Sequence, residues 1–168
     1  SDTLNGAMAL AKPVTCIIAH PNAQSFTHAV AQRAVHALSD RDAQITSIDL
    51  YADRFDPVLD QQELARRFSF DPLTQTYTRT VIRSSAYIFV HPDWWGGPPA
   101  ILKGFIDRVF RAGVAYEWRE NHAGEAEPVP LLTHRQAAVL VTSDAENPAE
   151  SIHSGWDAVF RYCGIGES

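Results

Sequence analysis

Two short apolar runs in this sequence both end at a His-Pro pair, and each leads into a segment with apolar residues at helical spacing. The runs are residues 14–19 (VTCIIA) and residues 86–90 (AYIFV). Because they lack polar alternation, they are typical of strands buried on both faces. Proline ends each run because it has no N–H for the ladder. Strands of this kind belong to parallel sheets with helical connections, so the pattern predicts an α/β fold.

The rest of the chain continues this alternation of strands and helices. Residues 45–50 (ITSIDL) predict a strand near the sheet edge, and residues 137–141 (AAVLV) predict a fourth strand. We expect a polar loop, broken by prolines, over residues 119–134. Helices are predicted at residues 27–38, 98–111 and 152–163, with two short ones around Glu63 and Tyr77. The expected architecture is a doubly wound parallel sheet in three α/β/α layers, formed by a single domain over residues 13–168 after an N-terminal arm, residues 1–12.

Composition excludes several classes of function. The 168 residues carry a formal net charge of -6 without a basic stripe, which disfavours nucleic acid as a partner. No apolar run is long enough to span a bilayer, and the N-terminal arm lacks the features of a signal peptide. Cys16 and Cys163 match no metal-ligand spacing and are expected to be buried free thiols. We therefore expect a cytoplasmic protein without a metal site.

The loop after the first predicted strand is a candidate phosphate site. It reads HPNAQSFT over residues 20–27 and leads directly into a helix. Free N–H groups at that helix start, the hydroxyls of Ser25 and Thr27 and the ring of His20 could all bind an anion. An ordinary capped turn without a ligand is the alternative, because neither the Walker lysine nor the dinucleotide glycine pattern is present.

The loop after the third predicted strand carries two adjacent tryptophans, Trp94 and Trp95, before Gly-Gly-Pro-Pro. Two such side chains cannot both enter one core, so at least one is expected to face a ligand or a partner. A flat aromatic cofactor suits a large planar side chain beside a glycine backbone. The alternative is that both tryptophans close the end of the sheet.

The segment HPDWWGGPPAILKGFIDRVF, residues 91–110, closely resembles the NAD(P)H:quinone oxidoreductases. The same family includes the bacterial modulators of drug activity and the ancillary flavoproteins of potassium-efflux systems. The AHPNAQSF loop, Asp49-Leu50-Tyr51 and Phe55-Asp56-Pro57 match the family in the same order. The resemblance spans about residues 14–143.

This resemblance implies a flavodoxin-like fold with strand order 2-1-3-4-5, whose fifth strand is absent from the sequence given. It also implies a flavin, FAD or alternatively FMN, with NAD(P)H as co-substrate, and hydride transfer to quinone-like acceptors by a ping-pong mechanism. By position in the family, the flavin phosphate would be held by His20, Ser25, Phe26 and Thr27. The ring system would be contacted by Pro92, Asp93, Trp94, Trp95, Gly96, Gly97, Thr142 and Ser143.

The family pattern further implies a homodimer in which Tyr116 and Trp118 form the wall of a substrate pocket. The chain departs from well-known members after the fourth strand, where Thr142-Ser143-Asp144 replaces Gly-Gly and no tyrosine follows until Tyr162. His153 is the nearest histidine and is our candidate for a catalytic role. The alternative function is a flavin-binding regulatory subunit of a potassium-efflux or other transporter.

Two further classes fit the sequence less well. One-electron flavodoxins carry a Ser/Thr-rich phosphate loop and no WWGGPPAILKG segment. Receiver domains have a related fold but need acidic residues after the first strand, where this chain has His20-Pro21-Asn22.

Overall fold

A computed structural model describes residues 12–41, 43–145 and 150–166. It contains six strands: β1 (Pro13–Ile18), β2 (Gln44–Asp49), β3 (Ala86–Pro92), β4 (Tyr116–Glu120), β5 (Ala126–Pro130) and β6 (Gln136–Thr142). Four of them form a parallel sheet in the order β2-β1-β3-β6. The predicted α/β class and the parallel sheet are therefore confirmed.

Five helices connect or follow these strands: α1 (Phe26–Ser39), α2 (Gln61–Arg66), α3 (Pro72–Arg83), α4 (Ala100–Val109) and α5 (Glu150–Cys163). Side-chain caps explain where several of them begin. Ser25, Asp60 and Asp71 each accept hydrogen bonds from N–H groups in the first turn of α1, α2 and α3. α4 begins after Pro98-Pro99 rather than with them, since Pro99 is its N-cap residue.

Helices cover both faces of the sheet. α1 packs on one face through Ala31 and Val30, against residues such as Cys16 and Ile88. α3, α4 and α5 pack on the other face around a larger aromatic and aliphatic core that includes Phe89. This is the predicted three-layer arrangement. β2 and β6 are the outer strands of the described sheet, and none of the residues of β6 is fully buried.

The prediction of a loop over residues 119–134 is wrong. β4 and β5 form an antiparallel hairpin there, in which Trp118 lies opposite Pro128 and Tyr116 opposite Pro130. The two prolines are two residues apart, so their nitrogens face the same side of the strand, where no ladder bond is required. Pro128 therefore lies inside an edge strand, and Pro130 is the last residue of that strand.

Gly104 in α4 allows this helix to approach the segment after β2 closely. Any Cβ at Gly104 would overlap the backbone and side chain of Pro57. The close approach brings α4 against the segment that follows β2, so that Phe55 and Phe105 meet edge to face with ring centroids 5.9 Å apart.

The buried pair of Glu63 and Arg108 joins α2 to α4. Arg108 donates from Nη2 to Glu63 Oε2 at 2.8 Å and from Nε to Glu63 Oε1 at 3.1 Å. Both side chains are only 5% exposed. Ser69 also donates to Glu63 Oε2, and Arg108 Nη1 donates to the carbonyl of Asp56. Because both charges are fully hydrogen-bonded, the desolvation of each is offset by its partner.

The N-terminal arm lies, except for Lys12, outside the described residues. In the described ranges, none of the helices combines the length and the apolar character that a membrane span needs. Cys16 and Cys163 are buried free thiols, as predicted, and burial raises the pKa of each to about 11. Their thiolate forms are therefore scarce at neutral pH.

We predict that Glu63→Gln lowers the free energy of unfolding by about 3–5 kcal/mol, because it leaves the Arg108 guanidinium buried without its carboxylate. Denaturant unfolding monitored by circular dichroism measures this loss. Glu117→Gln is the matched control, since its pair with Arg67 is exposed and 3.5 Å long, and we expect about 1 kcal/mol or less there. Equal effects of the two changes would contradict the assignment.

Candidate functional site

Three loops meet at the carboxyl ends of the parallel strands, and Thr142 links all three. Its hydroxyl lies 2.8 Å from the hydroxyl of Thr27 at the start of α1. Its carbonyl accepts from the N–H of Asp93, after β3, at 2.8 Å. The loops after β1, β3 and β6, which carry the predicted residues, are therefore brought to one edge of the sheet, as expected for ligand sites in such folds.

Asn22 and His20 shape the loop between β1 and α1. The Asn22 side chain accepts from the N–H of Gln24 at 2.9 Å, and its own N–H donates to His20 Nδ1 at 3.0 Å. His20 Nδ1 also lies 3.2 Å from the carbonyl of Asn22, but the shorter contact is with a backbone N–H, which can only donate. His20 Nδ1 is therefore an acceptor, and the ring proton of the neutral form lies on Nε2. The loop thus holds an N–H donor of His20 beside the helix start.

The start of α1 has unsatisfied backbone donors. Ser25 caps the helix by accepting from the N–H of His28 at 3.2 Å. Among the described residues, no acceptor is recorded for the N–H groups of Phe26 and Thr27, which are the first two of the helix. The Phe26 side chain is exposed, whereas Thr27 is buried. These donors and the helix dipole favour an anion at this position.

The loop after β3, residues 93–97, forms a tight turn that exposes Trp95, and we call it the tryptophan loop. Trp95 and Gly96 have positive φ angles of 60° and 76°, and the N–H of Trp94 donates to the carbonyl of Gly97 at 2.9 Å. The Trp95 side chain is fully exposed, and Trp94 is 43% exposed. The ring of Trp94 lies 6.0 Å from that of His20. The two tryptophans therefore do not fill the core of the described chain.

Asp93 holds the tryptophan loop to the loop after β6. Its Oδ1 accepts from the N–H of Gly96 at 2.9 Å, and its Oδ2 accepts from the Ser143 hydroxyl at 3.2 Å. Ser143 also accepts from the N–H of Ala145. Pro92 is buried at the end of β3, opposite Thr142. A Cβ at Gly97 would meet nothing within 4 Å, so the backbone is open on that side.

Sequence reasoning missed His28 and Asp49 as residues of this region. His28 lies in the first turn of α1 and is buried, with its Nε2 2.9 Å from Asp49 Oδ2 at the end of β2. Its Nδ1 lies 3.1 Å from the Ser25 hydroxyl. Only the position of Asp49 near the end of a predicted strand could have indicated the contact.

His91 was also missed by sequence reasoning, and it links the end of β3 to α5. The indole N–H of Trp156 donates to His91 Nε2 at 3.1 Å, and His91 Nδ1 lies 2.8 Å from the carbonyl of Pro92. Since an indole N–H only donates, Nε2 carries no proton and the Nδ1 proton goes to the carbonyl. Burial lowers the pKa of His91. The neutral ring thus joins β3 to α5 beneath the site.

Tyr116 and Trp118 lie away from the three loops, on the β4–β5 hairpin. They line a cavity of about 420 Å³ together with α2 and the end of α4, through residues such as Leu64 and Phe110. The ring of Tyr116 meets that of Tyr162 edge to face at 4.8 Å. The described chain therefore does not bring the predicted substrate-pocket residues to its own tryptophan loop.

His153 lies in a groove between β6 and α5. It is exposed and lines this groove of about 340 Å³ with Val139, Val141 and Trp156. The catalytic role of His153 remains a prediction. In the described ranges, His, Cys, Asp and Glu side chains form no group of three that could hold a metal ion.

The donors at this edge fit a flavin nucleotide. Free N–H groups at the start of α1, the Ser25 hydroxyl and the His20 ring are ligands suited to phosphate. An exposed indole beside an open glycine backbone suits a planar heterocycle. The two sets of groups are held in one place by the hydrogen bonds of Thr142 and Asp93.

Comparison with known proteins identifies relatives. Residues 12–167 match a family described as having a flavodoxin-like fold. An uncharacterized NAD(P)H oxidoreductase of Haemophilus influenzae is 34% identical over 160 residues, which cover 89% of this chain and 77% of the relative. An FMN-dependent NADH:quinone oxidoreductase of Macrococcus caseolyticus is 28% identical, with 84% of this chain and 75% of the relative covered.

A solved structure agrees with these relatives. The NAD(P)H:quinone oxidoreductase from Methanothermobacter marburgensis superposes with a TM-score of 0.68 at 26% identity, covering 90% of this chain and 74% of that one.

We predict that His91 makes stability pH-dependent. Its folded-state pKa is lowered, so the unfolded chain binds a proton first as the pH falls below about 6.5. The free energy of unfolding should therefore be highest above that pH and decrease as the pH falls towards the folded-state pKa. His91→Gln should flatten the slope between pH 7 and 5 in denaturant titrations, and His36→Gln, an exposed position on α1, should keep it. An unchanged slope in His91→Gln would contradict this.

Proposed function

The chain belongs to the flavodoxin-like family of NAD(P)H oxidoreductases, and we propose that it uses a bound flavin to pass hydride from NAD(P)H to a quinone-like acceptor. One observation carries the proposal: the loops after β1, β3 and β6 are hydrogen-bonded into a single edge that combines anion-binding donors with an exposed indole. The H. influenzae relative is named an NAD(P)H oxidoreductase, which supports the same chemistry.

In this proposal the start of α1 binds the flavin phosphate. The N–H groups of Phe26 and Thr27, the Ser25 hydroxyl and His20 Nε2 donate to phosphate oxygens. Because the N–H donors of Phe26, Thr27 and His20 are fixed by the Asn22 turn and the helix cap before any ligand arrives, little conformational entropy is lost on binding. The helix dipole adds to the attraction of a negative group.

The tryptophan loop would bind the flavin ring. Trp95 supplies a planar face, and Gly96 and Gly97 supply backbone that can approach closely. Asp93 keeps this loop in register with Ser143. The bound flavin supplies the two-electron redox chemistry. The residues of the chain bind it, orient it and limit access of water to one side.

The nucleotide form of the flavin is part of the proposal. The sequence resemblance placed FAD first and FMN second. The M. caseolyticus relative is named FMN-dependent, which favours FMN. Heat release of the chromophore, followed by chromatography, distinguishes the two forms.

We propose a homodimer in which Tyr116 and Trp118 of one subunit complete the pocket of the other. Trp118 and Leu64, which belongs to α2, are exposed apolar side chains that line the hairpin cavity, and a second subunit would remove them from water. Light scattering is expected to give twice the mass of 18.6 kDa. Trp118→Arg should weaken the association. A monomer mass at all concentrations with full activity would contradict the dimer.

We predict that the purified protein absorbs between about 350 and 500 nm and that Trp95→Ala weakens flavin affinity by tenfold or more, since loss of an aromatic wall costs about 1–3 kcal/mol. Fluorescence titration of the apoprotein with FMN and FAD measures the change. Stability should be unaffected because the side chain is fully exposed. Phe70→Ala, which removes another exposed aromatic, is the matched control.

Unchanged flavin affinity and unchanged NADPH oxidation in Trp95→Ala would remove the indole from the site. Flavin binding without turnover of NADPH and a soluble quinone would favour the regulatory alternative over the enzyme.

We predict ping-pong kinetics, because one flat pocket beside Trp95 accommodates one planar ring at a time and the sequence has no second dinucleotide fingerprint. NAD(P)H should bind and leave before the acceptor enters. Initial rates against NADPH at several fixed quinone concentrations should give parallel double-reciprocal lines. Intersecting lines would indicate a ternary complex and a second binding site.

A further inference from the structure

Three side chains form a continuous hydrogen-bonded chain that ends at the proposed phosphate site. Asp49 Oδ2 lies 2.9 Å from His28 Nε2, and His28 Nδ1 lies 3.1 Å from Ser25 Oγ. His28 is only 7% exposed. Ser25 is at the same time the cap of α1. The hydroxyl offered to a phosphate is therefore tied, through a buried imidazole, to a carboxylate.

The direction of each hydrogen bond follows from what the groups can donate. Asp49 accepts through Oδ1 from the N–H groups of Tyr51 and Ala52, at 3.2 and 3.1 Å, and a carboxylate has no proton to donate, so its Oδ2 accepts as well. His28 Nε2 must then carry the proton that it shares with Oδ2. In the neutral ring Nδ1 has no proton, so the Ser25 hydroxyl donates to it. Without a ligand, the hydroxyl proton of Ser25 is directed at His28 and not at the phosphate position.

Two rearrangements would let Ser25 donate to a phosphate oxygen. If the hydroxyl simply turns, the buried Nδ1 of His28 is left without a donor, and the lost hydrogen bond opposes binding. If His28 instead takes a proton from solvent at Nδ1, that N–H donates to Ser25 Oγ and the hydroxyl proton is released to the phosphate. The new positive charge then lies between Asp49 and the phosphate, and both stabilise it.

We propose that His28 is a positioning residue that takes up one proton when the phosphate of the flavin binds. Asp49, His28, Ser25 and the phosphate then form one hydrogen-bonded chain, in which the positive charge of His28 lies between two negative groups. This inference rests on the proposed flavin site and adds that flavin affinity is linked to pH through His28. The proton comes from solvent, and the N–H at Nδ1 is the only bond that forms.

The other ionisable group recorded against this ring is His20, whose ring centroid lies 6.3 Å from that of His28. His20 belongs to the loop after β1, whereas Asp49 ends β2 and Ser25 lies on the element of His28 itself. A second cationic ring at this distance would oppose protonation of His28, and the phosphate between them would favour it. A pH profile alone therefore cannot separate the two histidines, and variants are required.

Isothermal titration calorimetry at pH 8, in buffers of different ionisation enthalpy, counts the protons taken up on binding. The probes are FAD, whose pyrophosphate has no group that titrates near neutrality, FMN, and riboflavin, which has no phosphate. Wild-type apoprotein is expected to take up close to one proton with FAD and FMN and none with riboflavin. By linkage, each unit rise in pH should then weaken FAD binding by up to about tenfold.

His28→Gln keeps an amide that can donate to Asp49 but cannot titrate, and it should abolish both the proton uptake and the pH dependence. Ser25→Ala, which removes the hydroxyl between the imidazole and the phosphate, should do the same if His28→Gln does not fold. His36→Gln is the control on the same helix, where the ring is exposed, and it should behave as wild type. Circular dichroism confirms that each variant is folded.

Proton uptake that persists in His28→Gln and Ser25→Ala, or that occurs equally with riboflavin, overturns the inference while leaving the flavin site intact. So does binding of FAD without proton uptake by the wild type. A wild-type protein that binds none of the three flavins overturns the proposed function itself, and the inference with it.

Discussion

Burial of β1 and β3 on both faces is the constraint on which the rest of the structure depends. A strand with no exposed face needs helices above and below it and strands on both sides, so its connections must cross from one end of the sheet to the other. The carboxyl ends of β1, β3 and β6 therefore lie together at one edge. The loops at that edge then approach closely enough for Thr27, Thr142 and Asp93 to bond to one another. The candidate site is thus a consequence of how the core is buried.

The family-like segment over residues 91–110 combines two kinds of physical role. Its first half, with Asp93, Trp94 and Trp95, forms the exposed turn at the site. Its second half is structural: Gly104 lets α4 approach Pro57, and Arg108 forms a buried ion pair with Glu63. Few sequences can satisfy a segment of this kind, because one short helix and the loop before it must meet both roles. A part in ligand binding therefore cannot be assigned to every residue of the segment.

The strands, the capped helices and the converging loops could be predicted because their signals are local. Apolar runs predicted β1 and β3, and helical spacing of apolar residues predicted α1 and α4. The β4–β5 hairpin could not be predicted, because Pro128 and Pro130 only become compatible with a strand when it pairs on one side. Contacts between distant residues were also out of reach, and the bond between His28 and Asp49, 21 residues apart, is an example. That Trp94 and Trp95 do not both enter the core could be predicted, because two adjacent large rings cannot both be accommodated there, and both side chains are exposed.

Trp95 contributes little to the fold that contains it. Its side chain is fully exposed, so it gains no burial, and its positive φ is unfavourable for a residue with a Cβ by about 1–2 kcal/mol. The strain is held in place by the bonds of Asp93 to Gly96 and Ser143, which fix the turn from both sides. Strain that the surroundings maintain, at a position where the side chain touches nothing else, is typical of a residue whose contacts are made with a ligand or a second subunit. The bond of Asp93 to Ser143 also joins the turn to the loop after β6, and the bond of Thr142 to Thr27 joins that loop to the start of α1, so the turn and the helix start are held at one edge of the sheet.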